Sequence, residues 1–193
     1  MTLGVRFDSA RAAAQAGAAW GFRALYDDLA PAVGGYLRLR GASDPDDVAS
    51  ETFLGVFRNL AGFTGDEDAF RSWVFTVAHR RLLDDRRRIG RRPPTRPIAD
   101  VEPEIEGGNV EDDVLVGMGD LWVRQVLGWL TDDQRDVLLL RVVADLSVEQ
   151  TAAVISKRPG AVRALQHRAI KTLRRHLIEQ RSDLLEDGRW VIS

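Results

Sequence analysis

Apolar residues recur every three to four positions in four segments of this chain, at 22–39, 48–60, 69–88 and 114–130. That period is typical of amphipathic helices that bury one face. Alternating runs rich in Val, Ile and Thr, which would indicate strands, are missing from the sequence. The pattern therefore predicts an all-α fold.

The helical pattern stops between residues 89 and 109, where four prolines and three glycines fall close together. Neither a helix nor a strand tolerates this density of breaking residues. Residues 100–113 add seven carboxylates and no Lys or Arg, a composition typical of a solvated tether. We therefore predict two small helical domains, at 22–88 and 114–178, joined by an extended Pro-rich and acidic linker at 89–113, with an N-terminal extension at 1–21 and a C-terminal tail at 179–193.

The last third of the chain carries the signals of a helix-turn-helix. Ser147 is followed three residues later by Gln150, and Thr131 by Gln134, which is the spacing of a reciprocal helix cap. After the break at 156–158, Pro159 stands where the first residue of a helix tolerates a missing N–H. A helix starting near Ser147, a short turn and a second helix are therefore expected.

The second of these helices has two distinct faces. Val162, Leu165, Ala169, Leu173 and Leu177 fall on one stripe at helical spacing, and a different face carries Arg163, His167, Lys171 and Arg174. Seven Lys and Arg residues and no acid lie between positions 157 and 176. Such segregation favours a duplex-binding surface. The alternative is a solvated amphipathic helix that ends a small bundle.

A second basic region closes the predicted N-terminal domain. Five arginines lie between positions 80 and 88, and the aromatic residues Phe63, Phe70, Trp73 and Phe75 precede them. Aromatic rings mixed with cations suit single-stranded nucleic acid, which is held by stacking and by attraction to its backbone. Phe70 and Trp73 are better explained as core residues. Phe63, in a loop flanked by glycine, is the better candidate for contact with a base.

The helix that begins near residue 45 is acidic at its start. Asp47 and Glu51 are one turn apart and suggest a metal site or an acid–base pair, but no His lies near them in the sequence. Acidic residues in a first helical turn complement the helix dipole. We therefore favour helix capping or a protein-binding face.

Composition narrows the remaining possibilities. The 193 residues are 45% hydrophobic and 29% charged, which is typical of a soluble globular protein, and they include no cysteine. Neither a membrane-length apolar run nor a signal-peptide layout is present, so we expect a cytoplasmic location. The three histidines, His79, His167 and His176, lie in basic helices, and no phosphate loop or nucleophile motif accompanies them. We expect neither a cofactor nor enzyme activity.

Several of these segments, in this order, resemble one family. They are DPDDVASETFLGVFRNL, AFRSWVFTVAHRRLLDDRRR, the Pro-rich acidic linker and LTDDQRDVLLLRVVADLSVEQTAAVI followed by the basic helix. Together they resemble the extracytoplasmic-function (ECF) sigma factors of bacterial RNA polymerase. The resemblance covers about residues 22–177. It implies a factor that binds core RNA polymerase and directs it to promoters, with domain 22–88 as sigma region 2 and domain 114–178 as sigma region 4.

The resemblance also implies roles for individual residues. In the family, one segment docks on the beta-prime clamp helices of the polymerase. Its counterparts in this sequence are Asp46, Asp47, Glu51, Phe53 and Arg58. The part that melts and reads the minus-ten element matches Phe63, Trp73, His79, Arg80 and Arg81, with Arg80 at the position most tied to a flipped base. The linker matches the segment that threads the polymerase channels. Contacts to the minus-thirty-five element match Lys157, Arg158, Arg163, His167, Arg168, Lys171 and Arg174, of which Lys171 and Arg174 suit phosphates.

The implied partners are core RNA polymerase, including its beta subunit, promoter DNA and an anti-sigma factor; no membrane insertion is expected. One departure from the family pattern is the turn Ser156-Lys157-Arg158, which replaces a usual Gly, aliphatic, Ser sequence. Another is Leu165-Gln166, which inverts a usual basic-then-apolar pair. The alternative function is a conventional helix-turn-helix regulator with an N-terminal sensing or dimerisation domain, which would bind duplex DNA without polymerase.

Overall fold

Residues 3–90 and 121–186, the part of the chain that the computed structural model describes, are almost entirely helical. Within these ranges there is no strand, so the prediction of an all-α fold is confirmed. Two short 3-10 helices lie at Gly4–Arg6 and Leu60–Gly62. The α-helices are α1 (Phe7–Gln15), α2 (Ala19–Leu39), α3 (Pro45–Arg58), α4 (Glu67–Gly90), α5 (described over residues 121–128), α6 (Asp132–Val142), α7 (Val148–Val154) and α8 (Pro159–Glu186).

The helix starts follow the local chemistry of the sequence. The Asp44 carboxylate accepts from the backbone N–H of Asp47 at 2.9 Å and caps α3, with Pro45 as its first residue. Both predicted capping boxes are present, Thr131 with Gln134 at α6 and Ser147 with Gln150 at α7. Pro159 begins α8, as predicted. Each cap satisfies backbone donors that the first helical turn leaves open.

The predicted N-terminal extension contains a helix that belongs to the packed core. Phe7, Ala10 and Ala14 of α1 are buried against α2. A Cβ added to Gly21 would lie 2.4 Å from the backbone N of Ala14 and 2.5 Å from the carbonyl oxygen of Ala10. Only glycine permits this approach of the two helix backbones.

The turn between α7 and α8 has a left-handed residue that is not glycine. Ser156 has φ +54°, its N–H donates to the carbonyl of Ala153 at 3.4 Å, and the N–H of Lys157 donates to the carbonyl of Ala152 at 2.9 Å. This pair of bonds is a Schellman motif, which usually places glycine at the left-handed position. The departure from the family's glycine therefore changes the residue and keeps the turn.

One hydrophobic core runs through both halves of the chain. It contains Val33 and Leu37 of α2 and Phe75 of α4, and it continues into Leu140 and Leu146 of the C-terminal half. A smaller cluster holds the helix-turn-helix together and consists of Val137, Ala152, Val162 and Leu165. The N-terminal and C-terminal helices therefore pack against each other.

Two sequence predictions fall partly beyond the described residues. Nearly all of the predicted linker at 89–113 lies outside them. In the predicted tail, α8 continues to Glu186, so residues 179–186 extend the recognition helix.

Candidate nucleic-acid and polymerase interfaces

The recognition helix α8 separates its apolar and basic residues as predicted. Val162 and Ala169 are fully buried and Leu165 is 8% exposed, while the apolar stripe ends at half-buried Leu173 and Leu177 is 38% exposed. The opposite face is exposed at Arg163, His167, Arg168, Lys171 and Arg174. The helix-turn-helix core therefore holds α8 with its cationic side outward.

Two of the predicted DNA-contacting cations are paired with acids of the same domain. Nη2 of Arg163 lies 2.9 Å from Oε1 of Glu149 in α7, and Nζ of Lys157 lies 2.9 Å from Oδ2 of Asp133 in α6. Within the described part of the chain, no carboxylate pairs with Arg158, Arg168, Lys171 or Arg174. These four charges face solvent and can meet an external anion without first breaking an ion pair.

The loop residue Phe63 is held more tightly than its sequence context indicated. Its ring stacks on Trp73 with centroids 5.2 Å apart and planes 5° apart, and it meets buried Phe70 edge-on at 5.4 Å. Gln15 Nε2 donates to the carbonyls of Leu60 and Phe63 at 3.0 and 2.9 Å, which ties the loop to α1. Phe63 and Trp73 are both half-buried, so each ring leaves one part open to solvent.

The basic end of α4 contains an exposed arginine, Arg80, and a second arginine, Arg81, that forms a salt bridge to α3. Arg80 is exposed, and no described residue forms an ion pair with it. Nη1 of Arg81 lies 3.4 Å from Oε2 of Glu51 on α3. The predicted minus-ten surface and the predicted polymerase-docking helix are therefore adjacent and share one salt bridge.

His79 is placed differently from the other predicted minus-ten residues. It is 6% exposed, and its Nδ1 lies 2.8 Å from the hydroxyl of buried Tyr36. The Tyr36 hydroxyl donates to Oδ1 of Asp136 in α6 at 3.2 Å. Because that hydroxyl has one hydrogen, we assign the proton of neutral His79 to Nδ1. In this arrangement His79 is covered and does not face a base.

Arg40, at the end of α2, completes the same cluster. Its guanidinium is 1% exposed, with Nε 2.6 Å from Oδ1 of Asp136 and Nη2 donating to Oδ2 at 3.1 Å. Nη1 donates to Oδ1 of Asp132 at 3.2 Å. The cluster therefore joins α2 and α4 of the N-terminal half to α6 of the C-terminal half.

Burial and charge together set the protonation of this cluster. Burial lowers the pKa of His79; Asp136 opposes this effect, and the cations Arg40 and Arg86 add to it. Burial also raises the pKa of Tyr36 well above its ordinary value, and the charge of Asp136 acts in the same direction. Burial disfavours the charge of Arg40, but the neighbouring Asp136 raises its pKa overall. At neutral pH the Arg40 guanidinium is thus charged, and the side chains of Tyr36 and His79 are neutral.

The predicted polymerase-docking helix presents most of its named residues. Asp46, Asp47 and Arg58 are exposed and Glu51 is half-buried. Phe53 is 3% exposed and packs against Tyr26, with centroids 4.7 Å apart. Phe53 therefore supports the packing of α3 on α2 in this structure, while neighbouring Leu54 is 54% exposed.

Sequence reasoning missed the interdomain cluster of Tyr36, Arg40, Asp132 and Asp136. A signal was present, because Arg40 lies four residues after Tyr36 and seven after Val33, on the apolar stripe of α2. Asp136 likewise lies four residues before buried Leu140. A charge on a buried stripe indicates a paired or functional group. The identity of its partner is not visible in the sequence.

The described residues include neither a metal-binding cluster nor a membrane-spanning helix. In residues 3–90 and 121–186 no group of His, Asp and Glu is arranged to hold a metal ion. Over the same part of the chain, no helix is both long and apolar enough to cross a bilayer.

Two family models match this chain. Residues 25–92 match the model of Sigma-70 region 2, and residues 120–173 match that of Sigma-70, region 4. The chain is 35% identical over 169 residues to the ECF RNA polymerase sigma factor BldN of Streptomyces coelicolor, covering 85% of this chain and 63% of that protein. It is 32% identical over 192 residues to the ECF RNA polymerase sigma factor SigD of Mycobacterium tuberculosis, covering 92% and 87%.

Solved structures agree with this assignment. CnrH in complex with the cytosolic domain of CnrY matches with a TM-score of 0.65 and 25% identity, covering 88% of this chain and 96% of that one. The sigma factor RpoE of Bartonella quintana, in complex with the anti-sigma factor NepR, shares the fold, with a TM-score of 0.61 and 18% identity over 81% of this chain and 96% of that one. These findings favour the sigma-factor interpretation over a conventional regulator. The chain belongs to the ECF sigma factors, the transcription initiation factors that direct bacterial RNA polymerase to promoters.

Proposed function

We propose that this protein reads the minus-thirty-five element of its promoters with the exposed cationic face of α8. The observation that carries this proposal is that α8 is fixed by Val162, Leu165 and Ala169 while its cations point away from that core. A recognition helix held in this way places base-reading side chains in the major groove. Arg163, His167 and Arg168 are then the base readers, and Lys157, Arg158, Lys171 and Arg174 contact phosphates.

The minus-ten element is assigned to the aromatic and basic surface of α4 and the loop before it. The Phe63–Trp73 stack offers a partly open aromatic platform, and stacking of one base on an aromatic ring contributes about 1–3 kcal/mol. Arg80 lies exposed beyond it and supplies the cation for a flipped base or its backbone. Arg81 contacts the neighbouring phosphates after its ion pair with Glu51 breaks. His79 joins this surface only when the two domains separate.

Core polymerase is assigned to the outer face of α3. Asp46, Asp47 and Arg58 present charges of both signs there, and Glu51 lies beside them. Charged groups on a rim surface contribute orientation and association rate more than affinity. The exposed side chain of Leu54, between these charges, supplies apolar contact. The buried side chain of Phe53 fixes α3 against Tyr26 of α2.

Three further assignments concern the partner, the location and the activity of the protein. The structural relatives CnrH and RpoE were solved with the cytosolic domain of CnrY and with the anti-sigma factor NepR, and we extend an anti-sigma partner of this kind to the present chain. Since its partner polymerase works in the cytoplasm, we place the protein there. The protein is a specificity factor without catalytic activity of its own.

The decisive experiment is transcription from genomic DNA by purified core polymerase with and without this protein. We expect new start sites that share two upstream elements, and core polymerase alone should not use them. Arg163→Ala should reduce these transcripts at least tenfold while leaving co-purification with core unchanged. Arg124→Ala, which removes an exposed arginine of α5, is the matched control. Tight binding to duplex DNA without any association with core would contradict the proposal.

A further inference from the structure

The amide of Gln15, at the end of α1, supports the loop that carries Phe63. Its Nε2 donates to the carbonyl oxygens of Leu60 and Phe63 at 3.0 and 2.9 Å. Because both partners are acceptors, the amide nitrogen must face the loop and both of its hydrogens are used. One side chain thus holds the backbone on either side of the turn. We call residues 59–66 the platform loop, since they lead into the stack of Phe63 on Trp73.

A second contact between α1 and this surface lies at the start of the helix. The buried ring of Phe7 meets the ring of Phe70, with centroids 5.7 Å apart. Phe70 in turn meets Phe63 and Trp73 edge-on, at 5.4 and 6.0 Å. Helix α1 therefore supports the aromatic stack in two ways, through a chain of rings and through the backbone of the platform loop.

Helix α1 is itself held by other parts of the N-terminal domain. The carboxylate of Glu67, the first residue of α4, accepts from the backbone N–H of Leu3 at 2.7 Å and from that of Gly4 at 2.8 Å. These two residues lie at the 3-10 turn that precedes α1. The missing Cβ of Gly21 lets α1 approach the backbone of α2 closely. The helix is therefore a fixed support from which Gln15 can hold the loop.

The platform loop needs such a support, because glycine stands on both sides of Phe63. Gly62 precedes it, and Gly65 follows with φ +152°, a conformation that residues with a side chain rarely adopt. A Cβ at Gly65 would lie 3.1 Å from Cζ of Phe63. Glycine thus makes room for the ring, but it also leaves the backbone more conformations to lose when the loop becomes ordered.

The hydrogen bonds of Gln15 fix the position of the loop more than they stabilise the fold. The side chain of Gln15 is exposed, so water can replace it at both carbonyls and the net gain in folding free energy is small. Ordering a loop before its ligand arrives, by contrast, removes that entropy cost from binding. A base that stacks on an aromatic platform benefits directly, since the rings already have the required position and angle.

We propose that Gln15 is a positioning residue for minus-ten recognition: from α1 it fixes the platform loop, so that the Phe63–Trp73 stack is preorganised to receive an unstacked promoter base. Gln15 does not touch the DNA and acts through the carbonyls of Leu60 and Phe63. This role rests on the proposed function for the identity of the ligand. The restraint on the loop is a property of the protein alone and can be measured without polymerase.

Backbone order in the platform loop tests the restraint. In the full-length protein, ¹⁵N relaxation should give residues 61–66 order parameters of about 0.85, as in the flanking helices. Gln15→Met keeps the length of the side chain but removes the donor, and it should lower these values to below about 0.6. Gln15→Glu presents only acceptors to the two carbonyls and should do the same. Gln125→Met, at an exposed position of α5, is the matched control. Unchanged order in both Gln15 variants would overturn the restraint.

The minus-ten role is tested with the complex of this protein and core polymerase, and with single-stranded non-template DNA from a promoter found in the transcription experiment. Gln15→Met should raise the Kd by about two- to tenfold. The slope of log Kd against log salt should stay the same, because no phosphate contact is lost. In a Phe63→Ala background, Gln15→Met should have no further effect, since Gln15 acts through Phe63. Gln125→Met should leave the Kd unchanged.

Other results would contradict this role in distinct ways. Additive effects of Gln15→Met and Phe63→Ala would overturn positioning, and a reduced salt slope would overturn it in favour of a direct phosphate contact. Thermal melts check the fold, and the exposed Gln15 should be replaceable without a large change in Tm. If wild type yields no new transcripts, the proposed function and the minus-ten role fail together. The relaxation data alone then decide whether Gln15 restrains the loop.

Discussion

Arg163 of the recognition helix and Glu149 of the preceding helix face each other, with Nη2 and Oε1 2.9 Å apart. Both side chains are more than half exposed. Glu149 therefore pairs with the arginine that is assigned to read the promoter. DNA has to displace Glu149 before it can contact Arg163. The same domain pairs Lys157 with Asp133 at the edge of the turn.

Replacing Glu149 with Gln should strengthen binding to a minus-thirty-five duplex. An exposed ion pair contributes about 0.2–1 kcal/mol, so its removal should lower the apparent Kd by about 1.4- to 5-fold. The gain should shrink as salt concentration rises, because salt already screens the pair. Fluorescence anisotropy of the labelled duplex measures this effect. Glu179→Gln, which removes an exposed acid further along α8, is the control, and a weaker complex for Glu149→Gln would contradict the prediction.

The left-handed backbone of Ser156 makes a stabilising substitution available. At φ +54° a residue with a Cβ is strained, whereas glycine is not. Ser156→Gly should raise the free energy of unfolding by about 1 kcal/mol. Urea denaturation followed by circular dichroism measures it. Gly41→Ser is the reverse case, because it places a Cβ at φ +72°, and it should destabilise the protein by a similar amount. Equal urea midpoints for wild type, Ser156→Gly and Gly41→Ser would refute the argument.

The close approach of α1 to α2 predicts opposite effects for two glycine substitutions in one helix. Gly21→Ala places a methyl group against the backbone of Ala14 and Ala10 and should cost about 1–3 kcal/mol. Gly34→Ala has no neighbouring atom within 4 Å of the new Cβ and should stabilise α2 by up to about 1 kcal/mol. Thermal melts of the two variants compare them directly. If Gly21→Ala were neutral, α1 would not pack on α2 as described.

The buried, neutral His79 predicts a loss of stability in mild acid. Its pKa is lowered mainly by burial, so the native protein binds fewer protons than the unfolded chain near the ordinary histidine pKa of about 6.5. The contribution of neutral His79 to the free energy of unfolding is then fully present above that pH and is lost as the pH decreases below it. The groups facing His79 are Tyr36, Asp136, Arg40 and Arg86.

Urea midpoints between pH 7.5 and 5.5 test this prediction. Wild type should lose stability over that range, and His79→Gln should lose less because it has no imidazole to protonate. The difference between the two curves isolates His79 from the carboxylates. The pKa of Asp85 is lowered by hydrogen bonds from Ser43, and Asp85 therefore loses its contribution only at pH values below about 3.8. Parallel curves for the two proteins would show that His79 titrates normally.

Much of the recognition domain was visible in the sequence because its determinants are local. The caps at Thr131 and Ser147 and the start of α8 at Pro159 each depend on residues within one or two helical turns. The stripe through Val162, Leu165 and Ala169 follows from helical periodicity alone. For the same reason the exposed positions of Arg163 and Lys171 were predictable.

The contacts of individual aromatic rings and charged groups were harder to predict from the sequence. Phe63 was expected in a loop flanked by glycine, and Gln15 and Trp73 restrain it there from parts of the chain 48 residues before and 10 residues after it. Phe53 and His79 match family positions for partner and DNA contact, yet both are buried here. A motif specifies which residue stands at a position. The neighbours that cover it come from other helices.

Helix positions, caps, the basic face of α8 and membership of the sigma-factor family follow from the order of residues, because hydrogen bonds and side-chain periodicity act over about four positions. The packing of one domain on the other does not follow from that order. Tyr36 and Asp136 are 100 residues apart in sequence and 3.2 Å apart in space, and Arg40 and Asp136 are separated by 96 residues. Contacts over such separations depend on how whole helices pack, and only the tertiary structure could show that these charges meet.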